Sequence, residues 1–222
     1  LSGRDPLDVY KKRFNNNPDN ISYGLDYADK LSIADRPNDA AKILNEVIAT
    51  DPTSKIAYRK LAEAYDKGDR LADAAKTYKR LFRLDPRDFH VAIKISDAYI
   101  EEQDYKSAFD WADKAVTISG EGEALGAKGN VYYKAFQVCR SGEITTDDRV
   151  VATLAYQLFV DAEDKGFARF NRSKDWLKEN EVLFGKAQWF MMDATVKNRG
   201  YFKAESSCYN WVSERLNKEK GW

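Results

Sequence analysis

The sequence predicts an all-α fold: a solenoid of antiparallel helix pairs that ends in a degenerate, aromatic-rich helical unit. Three observations carry this expectation. Pro18, Pro52 and Pro86 recur at intervals of 34 residues, and Ala40, Ala74 and Ala108 keep the same interval. Ala28, Ala62 and Ser96, all small, follow it, as do Leu31, Tyr65 and Tyr99. Within one period Tyr58, Leu61, Ala62 and Tyr65 fall at spacings of three and four, which sets them on one face of a helix. A fixed period of this size marks stacked supersecondary units, each too small to bury its own apolar face.

The elements follow in order. Residues 1–20 read as an N-terminal capping helix over Leu7–Asn16, with Val9, Tyr10 and Phe14 expected to dock on the first repeat. Three regular repeats occupy 21–122, at Ile21–Ser54, Lys55–Asp88 and Phe89–Gly122. Small residues such as Ala62 and Ala74 let paired helices approach, and Tyr58, Leu61, Tyr65 and Tyr78 fill the space beside them. Lys67-Gly68-Asp69 and Glu102-Gln103-Asp104 supply the turn inside a pair. Asp51-Pro52 and Asp85-Pro86 stop the second helix, since proline disfavours helical geometry in the residue before it.

Beyond Gly122 the period loosens. Residues 123–165 read as a fourth, insertion-bearing pair, with Ser141–Thr146 set between a helix through Leu125, Gly129 and Tyr132 and a helix over Asp148–Asp164. Residues 166–222 read as a degenerate pair, with helices near Trp176–Asn198 and Tyr201–Leu216 that turn at Gly200. Its aromatic residues, among them Trp176, Phe184, Trp189, Phe190 and Trp211, are expected to close the core at the end of the array.

In register with these repeats, the chain resembles the tetratricopeptide repeat family. The second repeat matches most fully, through Tyr58, Leu61, Ala62, Tyr65, Ala74, Tyr78 and Pro86. The first departs by placing Gly24 where an aromatic is usual, and the third has Ala92 there and Gly120 in place of the proline. The resemblance implies a concave groove lined by the first helices, which in that family commonly holds a peptide or helix. The positions it assigns to the groove are Ser22, Leu25 and Asp29; Ile56, Arg59 and Glu63; and His90, Ile93 and Asp97. Asp29, Glu63 and Asp97 would then form a ladder of carboxylates that attracts a basic segment; pairing with Arg59, Lys60 and Lys94 is the competing reading. The chaperone-binding clamp of the family is disfavoured, because Leu25 and Asp29 stand where donors to a terminal carboxylate belong.

Composition narrows the function classes. Of 222 residues 43% are hydrophobic, and 36 basic residues balance 36 acidic ones. The first 122 residues hold 20 basic and 22 acidic side chains, so neither half is a basic patch for nucleic acid. No apolar run approaches the roughly 20 residues of a membrane helix, and no membrane span is expected. The compartment stays open: cytoplasmic is the default, and a chain that starts at Leu1 leaves an exported or anchored parent chain as an alternative. Cys139 and Cys208 read as buried structural thiols, with their pairing left undecided.

No catalytic constellation is readable. His90 is the single histidine and falls at a helix start, Gly120-Glu121-Gly122 lacks the features of a phosphate loop, and Asp147-Asp148 lacks calcium-loop spacing. No cofactor or metal is expected. The leading expectation is a non-catalytic adaptor or scaffold that holds a protein segment, basic or amphipathic, in the groove. The alternatives are a structural subunit of a larger assembly that uses its end faces and C-terminal aromatics, and, more remotely, an enzyme with a pocket near the C-terminal unit.

Overall fold

A computed structural model describes residues 6–222, so the start of the 1–20 cap lies outside the described residues. Among them twelve α-helices account for nearly all regular structure. The chain divides into two compact units, the first through Ala98 and the second from Tyr99.

The first unit is built of helical hairpins. Helix α1 (Asp8–Asn16) precedes α2 (Ile21–Ile33), α3 (Pro37–Thr50), α4 (Lys55–Lys67), α5 (Leu71–Leu84) and the start of α6 (Phe89–Glu101). Each first helix opens on a side-chain cap that also recurs every 34 residues. Asn20 Oδ1 accepts from the Tyr23 N–H at 3.2 Å, Ser54 Oγ from Ala57 at 3.3 Å and Asp88 Oδ1 from Val91 at 3.2 Å. These oxygens satisfy N–H groups that a helix start leaves without a partner.

The turns within the pairs repeat as well. Asp35, Asp69 and Gln103 adopt φ of 56°, 55° and 57°, the left-handed region. The following N–H then reaches back to Leu31, Tyr65 and Tyr99 carbonyls at 2.9, 2.9 and 3.0 Å, closing each helix with a Schellman-type bond. Arg36 pairs with Asp39 and Arg70 with Asp73 across the next helix start. In the third turn Asp104 caps the Ser107 N–H instead.

Helix α1 stands where a preceding second helix would. Phe14 is buried against Tyr27, with ring centroids 6.4 Å apart, and Arg13 lies over Tyr23. Val9 does not dock as expected: it faces solvent, because the buried face of this single-sided helix falls at Phe14. Gly24, the departure from the repeat pattern, is where α2 meets α3 and α1 most closely. A methyl there would stand 2.3 Å from Val47 Cγ2 and 3.1 Å from Phe14 Cε2.

The second unit centres on α7 (Tyr105–Ser119), α8 (Gly122–Cys139) and α9 (Thr146–Asp164). The connection between α8 and α9, expected at Ser141–Thr146, is 140–145, and the two helices run to 18 and 19 residues. Thr145 and Asp148 form a reciprocal capping box at the start of α9. Gly126 and Gly129 let α8 lie against Phe167, Phe170 and Phe159, where an added methyl would come within 3.0 Å of a ring carbon.

The C-terminal pair of long helices is not formed. Three short helices, α10 (Asn171–Glu179), α11 (Lys186–Met191) and α12 (Ala194–Arg199), replace the first of them. Strands β1 (Tyr201–Phe202) and β2 (Leu216–Asn217), paired antiparallel, flank a 3₁₀ turn at Ser207–Tyr209 in place of the second. Backbone groups of this stretch are bound by α9 side chains. Arg149 donates to the Glu181 carbonyl at 2.5 Å, and Thr153 Oγ1 accepts from the Phe184 N–H at 2.8 Å. Asp147 Oδ2 accepts from the N–H groups of Glu205 and Ser206 at 3.0 and 2.7 Å. These four backbone groups are satisfied by α9 side chains and not by bonds within a helix of their own.

Phe184 and Trp189 are buried in the core of this unit, as expected of its aromatics. Phe190 is exposed. Cys139 and Cys208, expected as buried thiols, are instead joined in a disulfide between the end of α8 and the 3₁₀ turn, with Cα atoms 6.0 Å apart; the Cys208 residue is exposed.

Candidate functional site

The nine positions assigned to the groove all lie in the first unit, on α2, α4 and the first part of α6. Ser22, Ile56, Arg59, Glu63 and His90 are exposed; Leu25, Asp29 and Asp97 are half-buried. Ile93 is 7% exposed and is buried among core residues. Val91, Ala92 and Ile95 beside it are buried as well, while His90 and Lys94 are exposed.

Two helices shape a definite recess. A cavity of about 270 Å³ opens between α2 and α4, lined by Asp29, Ser32, Ile33, Lys60, Glu63, Ala64 and Lys67. Ile33, at the end of α2 and 78% exposed, forms one apolar wall; Ile56, 60% exposed, lies at the start of α4, away from the lining residues. Ile33 is the one exposed large aliphatic side chain among the residues that line the recess. Sequence reasoning missed Ile33, Ser32 and Lys67; extending the groove face one turn further along each first helix would have reached them.

The carboxylate ladder is largely engaged within the protein. Lys60 Nζ lies 2.6 Å from Asp29 Oδ1 and joins α4 to α2. Arg59 reaches Asp88 at 2.6 Å, and Lys55 reaches Asp85 at 2.9 Å. The Lys55 ammonium holds the Asp85 carboxyl below the usual carboxylate range. Asp97 also has an interaction partner. Glu63 is exposed at the rim of the recess, and it is the carboxylate best placed to meet an incoming cation. His90 sits against Phe89, with ring centroids 3.9 Å apart.

Among the described residues no group of three or more His, Cys, Asp or Glu side chains is placed to hold a metal ion, and no helix is long and apolar enough to cross a membrane. The arrangement offers apolar contact flanked by charges of both signs, which is chemistry for association.

Residues 31–93 match the family model described as tetratricopeptide repeat. No curated protein sequence matches the chain. A crystal structure of MamA shares the fold at 22% identity and a TM-score of 0.59, covering 76% of this chain and 89% of that one. TTC0263, a thermophilic tetratricopeptide protein of Thermus thermophilus, does so at 16% identity and 0.53, covering 80% and 89%. YrrB, described as a tetratricopeptide protein with an unusual peptide-binding site, aligns at 13% identity and 0.50, covering 79% and 96%. At these identities the likeness is one of fold. Repeats of this kind serve in general as protein–protein interaction modules.

Proposed function

We propose that this tetratricopeptide-repeat protein is a non-catalytic adaptor that holds an amphipathic protein segment in the recess between α2 and α4. The observation that carries the reading is the exposed Ile33 beside Asp29, Lys60, Glu63 and Lys67. An apolar anchor from the partner would cover Ile33, and a basic residue beside it would face Glu63. Affinity then comes chiefly from the buried apolar contact, while charge sets selectivity and on-rate. Because Asp29 is already held by Lys60, preference for a basic segment rests on Glu63 more than on a ladder of three carboxylates.

Affinity capture from native lysate tests this, comparing wild type with Ile33→Asp and Glu63→Lys, each checked for unchanged helicity. Loss of one specific partner in both variants supports the recess as the site. Retention of that partner in both would sink the reading.

A second reading is a structural subunit of a larger assembly. Met191, 83% exposed, and the neighbouring exposed Phe190 favour it, because they place an apolar pair on the surface of the second unit. It predicts that Phe190→Ser/Met191→Ser abolishes incorporation into that assembly while Ile33→Asp leaves it intact.

A further inference from the structure

Residues 206–216 of the second unit run over α7 and α8 with little regular structure of their own, held by side chains in the way a bound peptide is held. Trp211 stacks on Tyr132 with ring centroids 5.7 Å apart and 16° between planes. It also lies 5.8 Å from the Phe109 ring and 6.4 Å from that of Tyr105. Three residues on, Glu214 accepts a hydrogen bond from the Tyr132 hydroxyl and binds Lys128 Nζ at 2.9 Å. An aromatic anchor in an aromatic cradle, followed by a carboxylate on a shielded lysine, is the chemistry of a recognition hot spot.

We propose that this segment is an intramolecular ligand on a second binding surface, and that the Cys139–Cys208 disulfide decides whether the surface is filled in cis or open to a partner. The partner segment has the same chemistry: an aromatic side chain followed three residues later by a carboxylate.

The surface can be vacated without orphaning its charges. Lys128 keeps Asp113, at 2.6 Å, when Glu214 leaves. Asp148 loses the Tyr209 hydroxyl, now at 2.6 Å, but keeps the Thr145 N–H at 2.9 Å and hydroxyl at 2.7 Å. Each charge thus keeps a partner, and the release costs chiefly the core burial of Tyr209, Val212 and Leu216 together with the bond to Asp148 Oδ1. Phe109, Tyr132 and Lys128 would then meet water, and a second aromatic–carboxylate segment would cover them again.

The gate is reachable. Cys208 and Trp211 line an open cavity of about 570 Å³ beside Tyr105 and Val138, so a dithiol reductant can approach the Cys208 sulfur. Attack by its thiolate breaks the Cys139–Cys208 bond through a mixed disulfide. Two electrons and two protons pass to the cysteines, which become thiols, and the reductant leaves as a disulfide. While the bond is intact the segment cannot depart from the end of α8; once it is broken only non-covalent contacts hold it.

The test uses the full chain, oxidised and after reduction, alongside Cys139→Ser/Cys208→Ser. Hydrogen exchange reports on 206–216, and fluorescence anisotropy reports binding of a labelled peptide of residues 206–217 carrying Cys208→Ser. The expected result is faster exchange confined to 206–216 after reduction, with peptide bound by the reduced chain and the double variant but not by the oxidised chain. Trp211→Ala in the peptide weakens that binding roughly thirtyfold or more. Unchanged protection after reduction, or a loosened segment with no peptide binding, overturns the proposal. Loss of protection in α7 and α8 together with the segment also overturns it, because the disulfide is then a staple of the whole unit. A reduced chain that dimerises and regains protection of 206–216 overturns the partner reading in favour of exchange between copies.

Discussion

Lys60 Nζ lies 2.6 Å from Asp29 Oδ1, so a lysine of one repeat neutralises a carboxylate of the preceding repeat inside the recess where a partner is proposed to bind. Both side chains are partly exposed, and such pairs contribute between about 0 and 1 kcal/mol. Asp29→Asn is therefore expected to change stability by less than about 1 kcal/mol. It also releases Lys60 and so weakens the preference for basic peptides. Chemical denaturation and a salt series of peptide binding read the two effects separately; a large loss of stability would show the pair to be structural.

Gly24 and Phe14 make a steric pair. Gly24→Ala places a methyl 2.3 Å from Val47 Cγ2 and 3.1 Å from the Phe14 ring, and overpacking of this kind costs about 1–3 kcal/mol. Val47→Ala in the same chain should recover part of the loss, which a double-mutant cycle measures. Strictly additive effects would deny the contact.

Gln103 occupies the left-handed region at φ 57°, where a side chain is strained and glycine is not. Gln103→Gly is expected to raise stability by about 0.5–1 kcal/mol, less what glycine adds to the flexibility of the unfolded chain. Asp69→Gly should behave alike in the first unit. A lower midpoint of denaturation in both variants would count against the strain.

Burial raises the phenol of Tyr132, with Glu214 adding to it, and burial raises that of Tyr209, with Asp148 adding to it. For Lys128 burial pulls the ammonium down, but the hydrogen bonds and charges of Asp113 and Glu214 outweigh it and the net shift is upward. Unfolded phenols lose their protons around the ordinary value of 10.0, while the folded ones keep them. Above that pH the unfolded state binds fewer protons, so stability is full below it and falls as pH rises. Denaturation midpoints on either side of this value, for wild type and Tyr132→Phe, check the sign. A variant with the same alkaline slope as wild type would refute the assignment to Tyr132.

The repeats were legible because their physics is local and periodic. Small residues at Ala62 and Ala74, the prolines after Asp51 and Asp85, and the apolar face through Tyr58 and Leu61 recur where the chain must do the same thing again. Groove positions can be assigned from the repeat, but their charge cannot, since whether Asp29 is open depends on Lys60, 31 residues away. After Gly122 the deciding contacts are long-range and solitary. Arg149 captures the carbonyl of Glu181, and Asp147 captures two N–H groups near Ser206. Neither leaves a pattern in the sequence, so apolar residues at helical spacing over 176–198 suggested a continuity that the backbone does not keep.

Asn20, Ser54 and Asp88 begin successive hairpins with the same side-chain bond, and Asp35 and Asp69 bend them with the same backbone torsion. Joints this alike are interchangeable. A copy of residues 55–88 spliced in after Asp88 would find a matching cap upstream and a matching start downstream. Such a chain could lengthen its binding face by whole modules through duplication within the gene, without redesigning either junction.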